Sequence, residues 1–295
     1  MQNVMSGTNI RKKFKGFTLD VPVLTIPKGF ATALIGENGA GKTTLLNLLA
    51  GIRLDYQGEL KYFDEMETDV EKVRERFGYT GPGNYYLPHW TIRQVEEVSE
   101  MLFETFDKEK FQKICSELGI IAESGKKGKK VNDLSDGNRM KLMIASVLAR
   151  ETECLLLDEP ASPLDPLMRD KLCGMIREYL LEGDGEKSVF FSTHNISDME
   201  NVTDYAIIME HGSIVEQGFV EDLKEKYVMV KGEAKDAKAA KEILYSFSGN
   251  SYGFEGICLA DRVDKLAGMD ITLETPTLFQ ISVAVMKVNT NLKFA

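Results

Sequence analysis

Cysteine, histidine and tryptophan are scarce in this chain, whose 295 residues hold four, three and one of them. Cys115, Cys154, Cys173 and Cys258 are scattered and form no C-x-x-C pair, which argues against a disulfide framework or a thiolate metal site and for structural thiols in a reducing compartment. Basic residues are in deficit: 36 Lys and Arg face 46 Asp and Glu, a formal net charge of -10. A nucleic-acid-binding chain usually presents a basic face, so no nucleic-acid partner is expected; the lysine-rich GKKGKK at 125–130 reads as a solvated loop. No stretch approaches the roughly 18 apolar residues of a membrane-spanning helix. The N-terminal MQNVMSGTNIRKKFKG has basic residues without an apolar run after them, so it does not read as a secretory signal. Internal repeats and low-complexity tracts are also lacking. These absences point to a cytoplasmic protein that, if it serves a membrane, docks onto another chain there.

The length suits one large domain plus a smaller one. Residues 1 to about 35 alternate apolar and polar positions around FTLDVPVLTIPKG, which predicts short antiparallel strands. ATALI at 31–35 predicts a buried strand, and TLLNLLAGI after it a helix stopped by Gly51. Helical spacing runs over 91–120, with Thr91 placed to cap it and Gly119 to end it, and again over 139–150. CLLLD, SVFFST and AIIME predict further apolar strands. Strands alternating with helices imply an α/β architecture with a largely parallel sheet covered on both faces. Composition shifts after about residue 225: KGEAKDAKAAKEILYSF predicts a helix, ICLA and DITLE strands, and TPTLFQISVAVMKV a closing helix.

Residues 36–43 spell GENGAGKT, which fits G-x-x-x-x-G-K-[ST] between a predicted strand and a predicted helix. Gly36, Gly39 and Gly41 let the backbone turn its N–H groups around phosphates, and the following helix adds its positive end. Lys42 supplies a point charge for the β- and γ-phosphates, and the Thr43 hydroxyl is a candidate Mg²⁺ ligand. Glu37, Asn38, Ala40 and Thr44 complete the candidate phosphate-binding set.

CLLLDEP at 154–160 is an apolar strand ending in two acids, delivered to the carboxyl edge of the sheet. There Asp158 is a candidate Mg²⁺ holder and Glu159 a candidate polariser of the attacking water. LSDGN at 134–138 precedes a helix, where Ser135 reads equally well as an ordinary N-cap. SPLDP at 162–166 follows the acids, and His194 ends another apolar strand in FFSTHN.

In this order, GENGAGKT, LSDGN, LLLDEP, SPLD and His194 resemble the ATPase subunits of ABC transporters over roughly residues 8–220. The resemblance implies a P-loop NTPase core over 1–225, with an N-terminal antiparallel β subdomain and a helical subdomain at about 85–140. A small α+β extension would follow over 226–295. It implies ATP and Mg²⁺ as cofactors, catalytic roles for Lys42, Glu159 and His194, and an ATP-dependent homodimer or a heterodimer with a related ATPase. Ser135 and Gly137 then belong to the loop that contacts the γ-phosphate held by the opposite subunit. Asp165 falls in the loop linking the two sites, His194 acts as the γ-phosphate switch, and Phe14 stacks on adenine, with Phe17 as the rival. The partner implied is a separate transmembrane permease subunit at the cytoplasmic face of the cell membrane. The closing helix resembles that of ATPases serving exporters.

Three positions depart from the family's pattern. Pro82 stands where a metal-ligating, membrane-sensing glutamine is usual, with Asn84 nearby. The signature reads LSDGN, which brings the acidic Asp136 toward the γ-phosphate, and Pro163 stiffens the loop before Leu164. Two other readings stand beside a transport ATPase. One is a soluble ABC ATPase of a non-transport assembly; the other is a nucleotide-gated subunit with little hydrolysis.

Overall fold

A computed structural model describes residues 2–64, 70–83, 85–120 and 128–294; Asn84 and the first half of GKKGKK lie outside them. β1 (Asn3–Phe14) and β2 (Phe17–Pro27) form a long antiparallel hairpin, followed by the fully buried β3 (Ala31–Ile35) and by α1 (Lys42–Leu49). β4 (Gln57–Tyr62) returns to pair with β1, closing a three-stranded antiparallel sheet in the order β2-β1-β4. After α2 (Val70–Glu75) come β5 (Phe77–Thr80), the helices α3 (Ile92–Leu102), α4 (Lys108–Glu117) and α5 (Asp136–Leu148), and β6 (Cys154–Asp158). α6 (Pro166–Glu182) leads to β7 (Ser188–Thr193), β8 (Tyr205–Glu210) and β9 (Ser213–Phe219).

β5-β6-β7-β3-β8-β9 form one sheet, parallel throughout except for β9. Its central strands are buried over their whole length, as expected of a sheet covered on both faces. Alternation along β6 divides the core: Leu156 packs with Leu45, Leu46 and Leu49 of α1 and with Leu19 and Val21 of the antiparallel sheet. Leu155 and Leu157 face the opposite way, onto Met143 and Ile144 of α5 and Leu172 and Ile176 of α6. The crossovers leave the carboxyl ends of β3, β6 and β7 side by side, where a parallel sheet presents ligands.

The helical stretch predicted over 91–120 is two helices. Thr91 and Gln94 form a capping box at the start of α3, and Asp107 caps α4 by accepting from the Lys110 amide at 2.9 Å. The intervening segment is held to the main body by a Phe106–Arg150 bridge.

The chain continues through α7 (Val220–Lys226), β10 (Tyr227–Glu233), α8 (Ala237–Ala240), β11 (Tyr245–Gly249), β12 (Gly253–Leu259), β13 (Ile271–Glu274) and α9 (Leu278–Phe294). The helix predicted over 231–247 is overturned. Lys231–Glu233 belong to β10, only four residues form α8, and Tyr245–Phe247 belong to β11. β10 pairs with β12 at every position, a long-range ladder that draws Lys231–Glu233 into the sheet, and the alanines that follow keep only the short α8. α9 packs Leu278, Ile281 and Ala284 into the same core as α5 and α6, and its first amides donate to the Glu200 carboxylate. Among the described residues, no helix is long and apolar enough to cross a membrane.

Candidate functional site

The turn after β3 is shaped by what cannot fit there. A Cβ on Gly36 would lie 2.4 Å from the Met209 carbonyl oxygen, and one on Gly41 2.8 Å from Cζ of Phe17. Gly41 also has φ of 106°, a left-handed conformation that glycine adopts at no steric cost. α1 begins immediately after it with no side chain capping its amides, so the helix start is open to an anion. Lys42 folds back into this turn. Only 5% exposed, it donates to the carbonyl oxygens of Gly36 at 2.8 Å and Glu37 at 3.2 Å. Glu37, Asn38, Gly39 and Thr43 are exposed, Thr44 is half-buried and Ala40 is buried.

Leucine side chains bury β6 and deliver Asp158 and Glu159 beside this turn. Asp158 sits opposite Ser192 of β7 and is fully buried. The Ser192 hydroxyl donates to Asp158 Oδ1 and accepts from the Glu159 amide at 3.0 Å. Asp158 Oδ2 has no hydrogen-bond partner. A buried carboxylate oxygen left without a donor is a place a cation fits, so the donor set suits Mg²⁺. Glu159 has φ of 51°, a conformation that costs a non-glycine residue roughly 1–2 kcal/mol. That strain turns its carboxylate back over the glycine turn. Glu159 Oε1 lies 3.2 Å from Lys42 Nζ, and Oε2 lies 2.7 Å from Nδ1 of His194. Lys42, Glu159 and His194, separate in the sequence, thus meet in one cluster.

A cleft of about 420 Å³ lies beside them, lined by Asp158, Glu159 and His194 and reaching the glycine turn at Asn38. Pro82, Asp136, Arg139 and Pro163 also line it. Among the described residues, Ser135, Gly137 and Asp165 do not line this cleft. Ser135 caps α5 by accepting from the Asn138 amide at 3.3 Å, and Asp165 caps α6 by accepting from Met168 at 3.1 Å. Gly137 backs onto the SPLD loop so closely that a Cβ would lie 2.7 Å from the Pro163 carbonyl oxygen. Asp136 pairs with Arg139 at 3.2 Å, one helical turn on. Phe14 stands 36% exposed at the tip of the hairpin, its ring 6.0 Å from that of Phe17. Phe17 is the ring packed against the glycine turn; Phe14 lies farther out, with Lys12 and Arg53 near its face.

Sequence reasoning missed Ser192, although a serine late in an apolar strand was the available signal. It also missed Arg169, which binds the SPLD turn through the carbonyls of Ala161 at 3.2 Å and Leu164 at 2.8 Å. The same guanidinium reaches Asp198 at 2.6 Å, tying the loop after β6 to the one after β7. No sequence motif announces that contact.

A glycine-walled turn over an open helix start, with a buried lysine and two strand-end acids, defines a P-loop ATPase. Residues 19–162 match the family model for the ABC transporter. The tungstate uptake system ATP-binding protein TupC of Peptoclostridium acidaminophilum is 31% identical over 218 residues, covering 71% of this chain and 95% of that protein. An uncharacterized ABC transporter ATP-binding protein of Nostoc sp. is 28% identical over 281 residues, 90% of this chain and 82% of that one. An ATP-binding subunit of an ABC transporter shares the fold with a TM-score of 0.65 at 21% identity, over 75% of this chain and 92% of that one. So does an ATP-binding cassette solved as a dimer in a post-hydrolysis state with ADP and Pi. Its TM-score is 0.60 at 22% identity, over 73% of this chain and 98% of that one. The chain belongs to the ATP-binding subunits of ABC transporters; it binds ATP and is an ATPase.

Proposed function

We propose that this ATPase powers transport by closing and reopening a head-to-tail dimer, with itself or with a related ATPase, beneath a separate transmembrane permease subunit. Its place is then the cytoplasmic face of the membrane. The observation that carries the reading is the Glu159 carboxylate held between Lys42 and His194 beside the glycine turn. Phosphate oxygens entering the cradle compete for the Lys42 ammonium and free Glu159 to accept a hydrogen bond from the attacking water. His194, already within hydrogen-bond reach of Glu159, holds that carboxylate in place and reads the γ-phosphate. Thr43 and Asp158 would hold Mg²⁺, which when bound supplies charge neutralisation at the β- and γ-phosphates. Phe14, exposed and flanked by cations, offers its ring to adenine. Ser135 and Gly137 serve the partner's nucleotide across the dimer, and Asp165 lies in the loop between the two sites.

For the permease, the supporting feature is an apolar cleft of about 540 Å³ between α3 and the main sheet, lined by Tyr86, Trp90, Leu102 and Phe103 among others. A groove of that character suits the apolar face of a short helix. Export is the direction suggested by the resemblance of the closing helix, and substrate flux in inside-out vesicles tests it.

The reading as a whole is tested by steady-state phosphate release with Mg-ATP. Turnover in the native protein should fall on the order of 10²–10³-fold in both Glu159→Gln and Lys42→Ala. ATP should drive Glu159→Gln into a dimer in sedimentation. A Glu159→Gln protein that binds ATP and stays monomeric at high concentration overturns the closure model. One observation favours a second reading, a nucleotide-gated subunit with little hydrolysis: Pro82 brings no side-chain ligand to the cleft. ATP binding without turnover in the native protein, alone and with its permease, would decide for it.

A further inference from the structure

The segment after β5 is a partition between two clefts. On one side Gly81, Pro82 and Gly83 line the cleft beside Asp158 and Glu159. On the other, Tyr79 and Tyr85 line the aromatic cleft together with Trp90. The two tyrosine rings meet edge to face at 5.7 Å. Their hydroxyls converge over Gly81, where a Cβ would lie 2.7 Å from one and 2.8 Å from the other.

Tyr79 also reaches α1, the helix that begins at the phosphate cradle. Its hydroxyl donates to Oδ1 of Asn47 at 2.8 Å. Asn47 lies on α1 one turn after Thr43, on the same helical face. Burial, helped by the Tyr85 hydrogen bond and the nearby Asp158 charge, pushes the Tyr79 hydroxyl above its ordinary value, so it stays a donor. Pro82, with no side-chain polar atom and no amide hydrogen, can make no such link itself.

We infer that Tyr79 is a positioning residue that couples the aromatic cleft to the phosphate cradle through Asn47 on α1. The inference rests on the nucleotide reading of the cradle and on the aromatic cleft as the docking site. Whatever fills that cleft meets Tyr85, which is half-exposed; Tyr85 presses on Tyr79, and Tyr79 moves the helix that carries Lys42 and Thr43. The path works equally in reverse, because coupling between two sites is reciprocal. ATP binding should therefore be felt in the cleft.

Trp90 lines the cleft and is the only tryptophan of the chain, so its emission reports on the cleft alone. The experiment titrates ATP without Mg²⁺ into the full-length protein, following Trp90 emission and measuring bound ATP separately by equilibrium dialysis. The native protein should show an emission change that tracks occupancy. At equal occupancy, Tyr79→Phe and Asn47→Ala should each remove most of that change, because each breaks the hydroxyl-to-amide link between the cleft and α1. Tyr86→Phe should keep it, although it loses a hydroxyl contact in the same cleft, to Ser146 at 2.7 Å. An undiminished response in Tyr79→Phe, or an equal loss in Tyr86→Phe, overturns the inference. ATP bound with Trp90 silent overturns the coupling alone, whereas no bound ATP overturns the nucleotide reading and the coupling with it.

Discussion

At the carboxyl edge of β3, β6 and β7, Lys42, Asp158 and Ser192 are buried and reach one another through Glu159. In the sheet of β10–β13 the charged residues do the opposite. Lys231 pairs with Glu274 at 2.6 Å, and Glu233 at the end of β10 pairs with Lys235 just beyond it at 2.8 Å, all four exposed. Both regions use ordinary strands over an apolar cluster; the difference is what the strand ends deliver. Parallel strands bring all their carboxyl ends to one edge, so acids and a lysine can converge in low dielectric, where each interaction is strong and each orphan costly. Antiparallel strands alternate their ends, and Val230, Phe254 and Cys258 meet inside while charge stays in water. The first arrangement does chemistry at a cost in stability, and the second adds bulk and a surface.

This contrast is broken hardest at Lys42 and Glu159, where removing one charge should cut turnover on the order of 10²–10³-fold with the fold intact. The reverse behaviour belongs to α9. Ile281 is fully buried in the shared core, so Ile281→Ala should cost about 2–5 kcal/mol in urea unfolding. Phosphate release per folded molecule should persist. Loss of turnover without loss of stability would mean that α9 acts on the site and is more than packing.

Gly137 lies between the two extremes. Alanine there gains up to about 1 kcal/mol of helix propensity, less in a first turn. Against this stands a Cβ 2.7 Å from the Pro163 carbonyl, and overpacking of that kind costs about 1–3 kcal/mol. The clash wins, so Gly137→Ala should be destabilised by roughly 1 kcal/mol in denaturant unfolding. A stabilised variant would show that the SPLD loop yields freely.

The site was legible where a motif carries its own physics. GENGAGKT needs no tertiary information, because glycines and a lysine of that spacing before a helix build a cradle locally. The fold class was legible from strand and helix alternation. What escaped was what depends on partners far along the chain. Ser192 matters only because β7 lies beside β6, and Arg169 only because the loops after those strands adjoin. Lys231–Phe247 looked helical because propensity is local, while the ladder to β12 that overrides it is not. Tyr79 was invisible for the same reason: its partner Asn47 is 32 residues away.

The smallest effect is expected at Lys231, and it sharpens the comparison from the other side. Lys231 and Glu274 are joined across β10 and β13 by an ion pair in solvent. Such pairs add little, because water screens the attraction and two long side chains lose freedom to make it. The bond to Glu274 and the charge beside it hold the Lys231 ammonium above its ordinary value. A raised lysine contributes stability that is fully present below its unfolded-state value and is lost as pH rises through the folded one. Lys231→Ala should therefore leave urea unfolding at pH 7 close to that of the native protein. Any difference should vanish above the lysine range and shrink in salt, whose screening length falls to roughly 3 Å at 1 M. A larger and salt-insensitive loss would mean that the C-terminal sheet, like the carboxyl edge of the parallel one, relies on a charge that water does not reach.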